Sequence, residues 1–147
     1  MELKTASAVI NYISGFETGS ADFYAACAGK HIALAGMFNS LAKQNRKFAG
    51  RIKKSYYSSV TDALETNFSF EGLRGGVVVP AADAGASAME LVKSCLELED
   101  DIQAFYGQAA DLSKGLLTDV VRVIKRVAKA RDNRKSELNL TLSNLSA

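Results

Sequence analysis

Apolar residues recur along most of this chain at alternating three- and four-residue steps, the spacing that puts side chains on one face of an α-helix. The first stripe is Ile10, Ile13, Ser20, Tyr24 and Cys27, with Glu17 lying in the same row. It predicts a helix from about Thr5 to Ala28, where Gly29 offers a C-terminal stop. A second stripe, Leu34, Met37, Leu41, Asn45, Phe48 and Ile52, continues through Val60 and Ala63 until the glycines of Glu71–Gly76 end it. The third helix opens near Asp83 or Ser87 and carries Ala88, Val92, Cys95, Glu99, Ile102, Tyr106 and Ala109 on one face. Gly115 separates it from a fourth, with Leu117, Val120, Ile124, Val127, Arg131, Arg134 and Leu138 in its stripe. The Ser/Leu/Asn-rich tail from Asn139 is expected to fray.

Residues 67–83 break the pattern. Val77-Val78-Val79-Pro80 is extended in character, and a proline disfavours helix in the residue before it. Short links within each pair of helices and a long link between pairs describe an all-α, antiparallel four-helix bundle of two hairpins. The expected layout is one domain over 1–147: hairpin 1 at about 5–66, a crossover at 67–83, and hairpin 2 at about 84–140.

Composition adds limits. With 147 residues the chain is long enough to bury a real core. Its single Pro fits long uninterrupted helices. A net charge of +2 gives no electrostatic reason to expect a nucleic-acid or membrane partner, and no apolar run approaches the roughly 20 residues a membrane span needs. The start, Met1-Glu2-Leu3-Lys4, has no signal-peptide pattern, which makes the cytoplasm the expected compartment. Cys27 and Cys95 make neither a disulfide framework nor a clustered metal site and read as small buried hydrophobes.

The two hairpins look like copies of one another. Phe16-Glu17 is followed by Asp22-Phe23-Tyr24, and Leu98-Glu99 by Ala104-Phe105-Tyr106, so each Glu precedes a Tyr by seven residues, two turns on the same face. The return helices match as well: Leu41 to Phe48 against Val127 to Arg134. In these features the chain resembles the rubrerythrin group of the ferritin-like superfamily over nearly its whole length. The resemblance implies a bundle with one long crossover, and a cage of inward carboxylates and imidazoles for two iron ions. Glu17 and Glu99 stand at the family's ligand positions on helices one and three.

Helices two and four depart from that pattern. Where the family has Glu-x-x-His, this chain has Asn45 with Phe48, and Arg131 with Arg134, so two of six ligand positions carry a carboxylate. Asn is a poor ligand, Phe is none, and an inward Arg repels a metal. His31, the only histidine, reads as a helix-start residue far from position 48. Two inward carboxylates without a cation are strongly unfavourable, so Arg131 is expected to bridge Glu17 and Glu99, with Asn45 adding hydrogen bonds and Arg134 nearby. The alternative is that these residues lie near a bundle end where water solvates them. Tyr24 and Tyr106 are expected to pack with satisfied hydroxyls.

Positive charge gathers on the return helices, at Arg46-Lys47, Arg51, Lys53-Lys54 and Arg122 to Lys135, while Glu97, Glu99, Asp100 and Asp101 concentrate on the third. This reads either as ordinary solvated faces or as a basic surface for an acidic protein partner. Tyr56, Tyr57, Phe68 and Phe70, near the crossover, would suit a docking surface. No Gly-rich phosphate loop, nucleophile–base pair or CxxC motif is present. The expectation is a metal-free bundle serving as an accessory subunit, in a homodimer or a hetero-complex. The competing expectation is a divergent oxidase or peroxidase holding iron or manganese at Glu17 and Glu99.

Overall fold

The computed structural model describes residues 3, 5–59, 72–83, 85–112 and 118–146, with backbone only at 6, 56–59 and 118–120. Among them are four α-helices: α1 (Ala6–Lys30), α2 (Ala35–Ser59), α3 (Ala88–Leu112) and α4 (Thr118–Ser146). Local chemistry sets their starts. Thr5 caps α1 by accepting the Ala8 N–H at 3.0 Å. Ser87 and Glu90 form a reciprocal capping box before α3, Glu90 N–H to Ser87 Oγ at 3.1 Å and Ser87 N–H to Glu90 Oε1 at 3.5 Å. No described helix is long and apolar enough to cross a membrane.

Two boundaries differ from the sequence expectation. Gly29 does not end α1; the helix runs to Lys30 and stops where His31 turns extended, its N–H bonding back to the Cys27 carbonyl. A single 3-10 turn, Ile32–Leu34, then leads into α2. The tail from Asn139 does not fray. α4 continues to Ser146, because Thr141 and Ser146 bond back to the carbonyls of Glu137 and Leu142, and Leu142 packs on the core. The expected extension of α2 through Val60 and Ala63, and Leu117 and Gly115 near the second turn, lie outside the described residues.

Cross-helix contacts fix the directions. Tyr24 stacks on Phe38 and Asn45 reaches Glu17, so α1 and α2 are antiparallel. Gln103 bonds the Ala128 carbonyl and Lys135 pairs with Asp100, so α3 and α4 are too. Phe16 against Phe105 and Tyr24 against Glu99 make α1 antiparallel to α3. Met37 meets Thr141 and Leu41 meets Arg134, making α2 antiparallel to α4. It follows that α2 and α3 point the same way, and the chain between them must travel back along the whole bundle.

The described end of that connection lies along α1. Leu3 N–H bonds the Leu73 carbonyl at 2.8 Å, Val77 N–H bonds the Tyr12 hydroxyl at 3.0 Å, Val79 packs on Gly19, and the Ala86 carbonyl meets His31 Nε2 at 3.2 Å. At 1.5 Å per residue α1 is about 37 Å long, and the thirteen steps from Leu73 to Ala86 reach about 43 Å only when nearly straight. The Val-rich run before Pro80 supplies that extension. It alternates like a strand: Leu73, Val77 and Val79 face the bundle, and Val78 is exposed. Residues 67–71 of the crossover lie outside the described residues.

Gly75 sits where Tyr12 comes closest to this strap. A Cβ there would lie 2.8 Å from Tyr12 Cζ and 2.9 Å from its hydroxyl oxygen. Gly75→Ala must push the Tyr12 ring aside and weaken its bond to Val77. Urea unfolding should register a loss of about 1–3 kcal/mol, and amide exchange at Val77 should accelerate. An unchanged midpoint would mean the strap is not held at Tyr12.

A buried ion cluster as the candidate functional site

All four helices send polar side chains to one level of the core. Glu17, Ser20, Asn45, Glu99, Arg131 and Arg134 are its buried polar and charged residues, and Arg131 is the bulkiest side chain with no exposure at all. Each lies on an apolar stripe, so burial follows from helical register. Ser20 is satisfied locally, its hydroxyl donating to the Phe16 carbonyl at 2.6 Å.

Arg131 stands between the two carboxylates. Its Nη1 donates to Glu99 Oε1 at 2.6 Å and Oε2 at 2.7 Å, and its Nη2 donates to Glu17 Oε1. Glu99 has further partners: the Tyr24 hydroxyl donates to Oε2 at 2.7 Å, and Arg134 Nη1 lies 3.6 Å from the same oxygen. Two carboxylates and two guanidiniums give formal neutrality inside the core, which is the condition for burying charge at tolerable cost.

Phe48 contacts both cations. The Arg131 and Arg134 guanidinium carbons lie 5.5 Å and 5.0 Å from its ring centroid, and those of Arg131 and Arg134 also approach Tyr106 and Tyr24 at 6.0 Å and 5.9 Å. Arg134 is held from α2 as well, donating Nη2 to the Leu41 carbonyl at 2.9 Å and Nε to Gln44 Oε1 at 3.2 Å. Sequence reasoning treated Phe48 as an absent ligand and did not single out Gln44. Two arginines one turn apart on a core stripe, opposite an aromatic and a Gln, were the available signal.

Asn45 adds one hydrogen bond, to the backbone: its Nδ2 reaches the carbonyl of Glu17 at 3.5 Å, and its Oδ1 has no partner. One expectation is corrected. Tyr106 is not the satisfied counterpart of Tyr24. Its hydroxyl lacks a hydrogen bond, as does Glu17 Oε2, although the repeat would pair them as Tyr24 pairs with Glu99. Glu99 accepts from Arg131 and Tyr24 with Arg134 beside it, whereas Glu17 accepts from Arg131. Of the expected docking residues, Tyr56 and Tyr57 have only their backbone described and Phe68 and Phe70 lie outside the described residues.

The electrostatics follow this asymmetry. Burial pushes the Glu17 carboxyl up to about 7, with Arg131 and Arg134 pulling the other way and Glu99 adding to the rise. Burial opposes the charge of Arg131, but the carboxylates of Glu17 and Glu99 more than offset it and raise its pKa. Arg134 is lowered, by burial first and then by Arg131. Burial, followed by the nearest carboxylate, raises both Tyr24 and Tyr106 well above the usual phenol range. One turn beyond Tyr24, the free buried thiols of Cys27 and Cys95 adjoin: the hydrogen bond between them lowers Cys27 and raises Cys95.

The residues do not fit a metal centre. Among the described residues no three His, Cys, Asp or Glu side chains converge as ligands, and the space between Glu17 and Glu99 is taken by a guanidinium. Compared with family models, curated proteins and solved structures, the chain matches none.

Glu17 makes stability depend on pH with a definite sign. Its folded pKa lies above the ordinary 4.5, so the folded state binds the extra proton between about 4.5 and 7. Stability from this group is full below 4.5 and falls as pH rises to 7, by on the order of 3 kcal/mol. Glu17→Gln should flatten that part of the curve in urea titrations run at successive pH values. A variant with the same slope as the parent would mean Glu17 is not the titrating group.

Proposed function

We propose that this chain is a ferritin-like bundle of the rubrerythrin type in which a buried ion cluster stands in place of the metal centre, and that it serves as an accessory or interaction subunit. The observation that carries this reading is Arg131: its guanidinium donates to Glu99 and Glu17 from the space between them. A delocalised cation there supplies the positive charge two inward carboxylates require, with no vacant ligand set. The antiparallel pairing of α1 with α3, and the Glu-to-Tyr spacing on both, support the kinship that the sequence suggests. Chemistry by the cluster itself is poorly supported, since Glu17, Glu99 and Arg131 are fully buried and hold one another. What such a bundle offers other molecules is a rigid surface.

Metal analysis of protein purified without chelators tests this directly. The expected result is no stoichiometric iron or manganese, and no hydroperoxide reduction after incubation with ferrous iron. Stoichiometric metal bound through Glu17 and Glu99 would overturn the reading in favour of the oxidase. Arg131→Leu tests the structural half. Removing the cation leaves Glu17 and Glu99 facing each other, and unfolding near pH 7 should show a loss of about 3–5 kcal/mol. Part of it should return in acid, as protonation relieves the repulsion. Combining Arg131→Leu with Glu17→Gln should recover part of the loss at pH 7.

A further inference from the structure

The net charge of +2 conceals a strong segregation. α2 carries six Lys and Arg and no acid, and α4 carries seven against three. α3 has six acids and one Lys. Arg131 and Arg134 are spent in the core, but α2 and α4 pack directly together, and Lys47, Arg51, Lys54 and Arg126 line the seam between them.

Along the seam between α2 and α4 lie two concavities. The first, of about 320 Å³, is lined by Arg51, Lys54 and Arg126 over the apolar walls of Val123 and Val127. The second, of about 350 Å³, is lined by Lys47 and Arg51, with Asn133, Phe48 and Ala130, and by one acid, Glu137. Arg51 lines both, so they adjoin along the seam. Their centres are offset by about six residues along α2 and eight along α4, or roughly 10 Å at 1.5 Å per residue. That is the spacing of side chains at i and i+7 on a third helix laid along the seam, one of the registers by which an amphipathic helix anchors in a groove.

We propose that the α2–α4 groove receives an acidic amphipathic helix from a partner protein, with apolar side chains at i and i+7 entering the two concavities and carboxylates on the flanks meeting Lys47, Arg51, Lys54 and Arg126. This deepens the interaction-subunit reading and rests on it. Charge complementarity selects acidic flanks. The apolar walls of Val123 and Val127 in the first concavity, and the exposed Ala130 in the second, select anchors rather than a purely polar strand. Among the described residues, the acidic helix of a second copy, α3, exposes Glu90 and Glu97 with a single large apolar side chain, Leu112 at the helix end, and so offers no pair of anchors. Single-stranded nucleic acid is disfavoured because the groove's aromatic ring, Phe48, is buried beneath the arginines and presents no face for base stacking.

The groove makes a specific demand on peptides selected against it. A displayed library of helical peptides with all outward positions randomised is panned against the whole chain. Enriched peptides are then synthesised and titrated by fluorescence anisotropy, with a single-stranded DNA oligomer as competitor. The expected outcome is enrichment of Leu, Ile, Met or Phe seven residues apart with Glu and Asp beside them. Affinity should drop about tenfold or more for Arg51→Glu and Arg126→Glu, exposed sites whose charge reversal acts on the rim, while circular dichroism stays unchanged. Peptides without the seven-residue spacing, equal binding to the variants, or displacement by the DNA oligomer at lower concentration than by the peptide itself would each overturn the proposal. Metal content and the Arg131 variants decide the parent reading independently of this result.

Discussion

The fold turns on a single constraint: two carboxylates are carried into a dry core and must meet positive charge there. Helical register puts Glu17 and Glu99 on inward faces of α1 and α3, where neither can reach water. An isolated carboxylate in such a place would stay protonated or unfold the bundle. Arg131 resolves this from α4 because its planar head presents donors in two directions at once, so one residue serves acids on two helices. A lysine ammonium would bring a single nitrogen, where the guanidinium sends one nitrogen to each acid. Arg134 then supplies the second positive charge, and both guanidiniums lie against the ring of Phe48.

The cluster inherits a near-symmetry from the repeated hairpins and breaks it. Because α1 and α3 are antiparallel and each carries Glu then Tyr two turns apart, Tyr24 faces Glu99 and Tyr106 faces Glu17. The return helices are not copies in chemistry: α4 brings two arginines, α2 brings Asn45 and Phe48. Charge therefore concentrates on Glu99, which accepts from Arg131 and Tyr24 with Arg134 beside it, while Glu17 keeps one donor and an unpartnered oxygen. Glu17, poorest in partners, is the one whose carboxyl burial lifts to about 7. A proton on it would give Oε2 a donor of its own, with the unpartnered Tyr106 hydroxyl among the nearest groups.

Period and punctuation carried most of the architecture, since four stripes and one Pro-bearing gap leave few topologies open. Glu17, Glu99 and Arg131 were legible for the same reason: a charged residue on an apolar stripe is conspicuous, and its partner must lie on another stripe at equal depth. What escaped the sequence depended on reach rather than register. Gln44, off the stripe, reaches Arg134 because a long side chain can curl back over the helix surface. The end of α4 was misjudged from composition, where a polar tail looks frayed, although Leu142 still packs on the core and Thr141 bonds Met37 Sδ at 3.3 Å. Near ends, a few specific contacts outweigh average propensity.

The outer groove and the inner cluster are built partly from the same atoms, and this links the two. Phe48 and Arg134 wall the second concavity on one side and bear on the ion cluster on the other. Phe48 cannot rotate without uncovering a guanidinium, and Arg134 cannot swing outward without abandoning Glu99, Leu41 and Gln44 together. The floor of the groove is thus pinned by the charge balance beneath it, so a partner would meet a preformed surface and lose little to reordering it. The ion pairs that neutralise Glu17 and Glu99 in the interior therefore also stiffen the cationic surface above them.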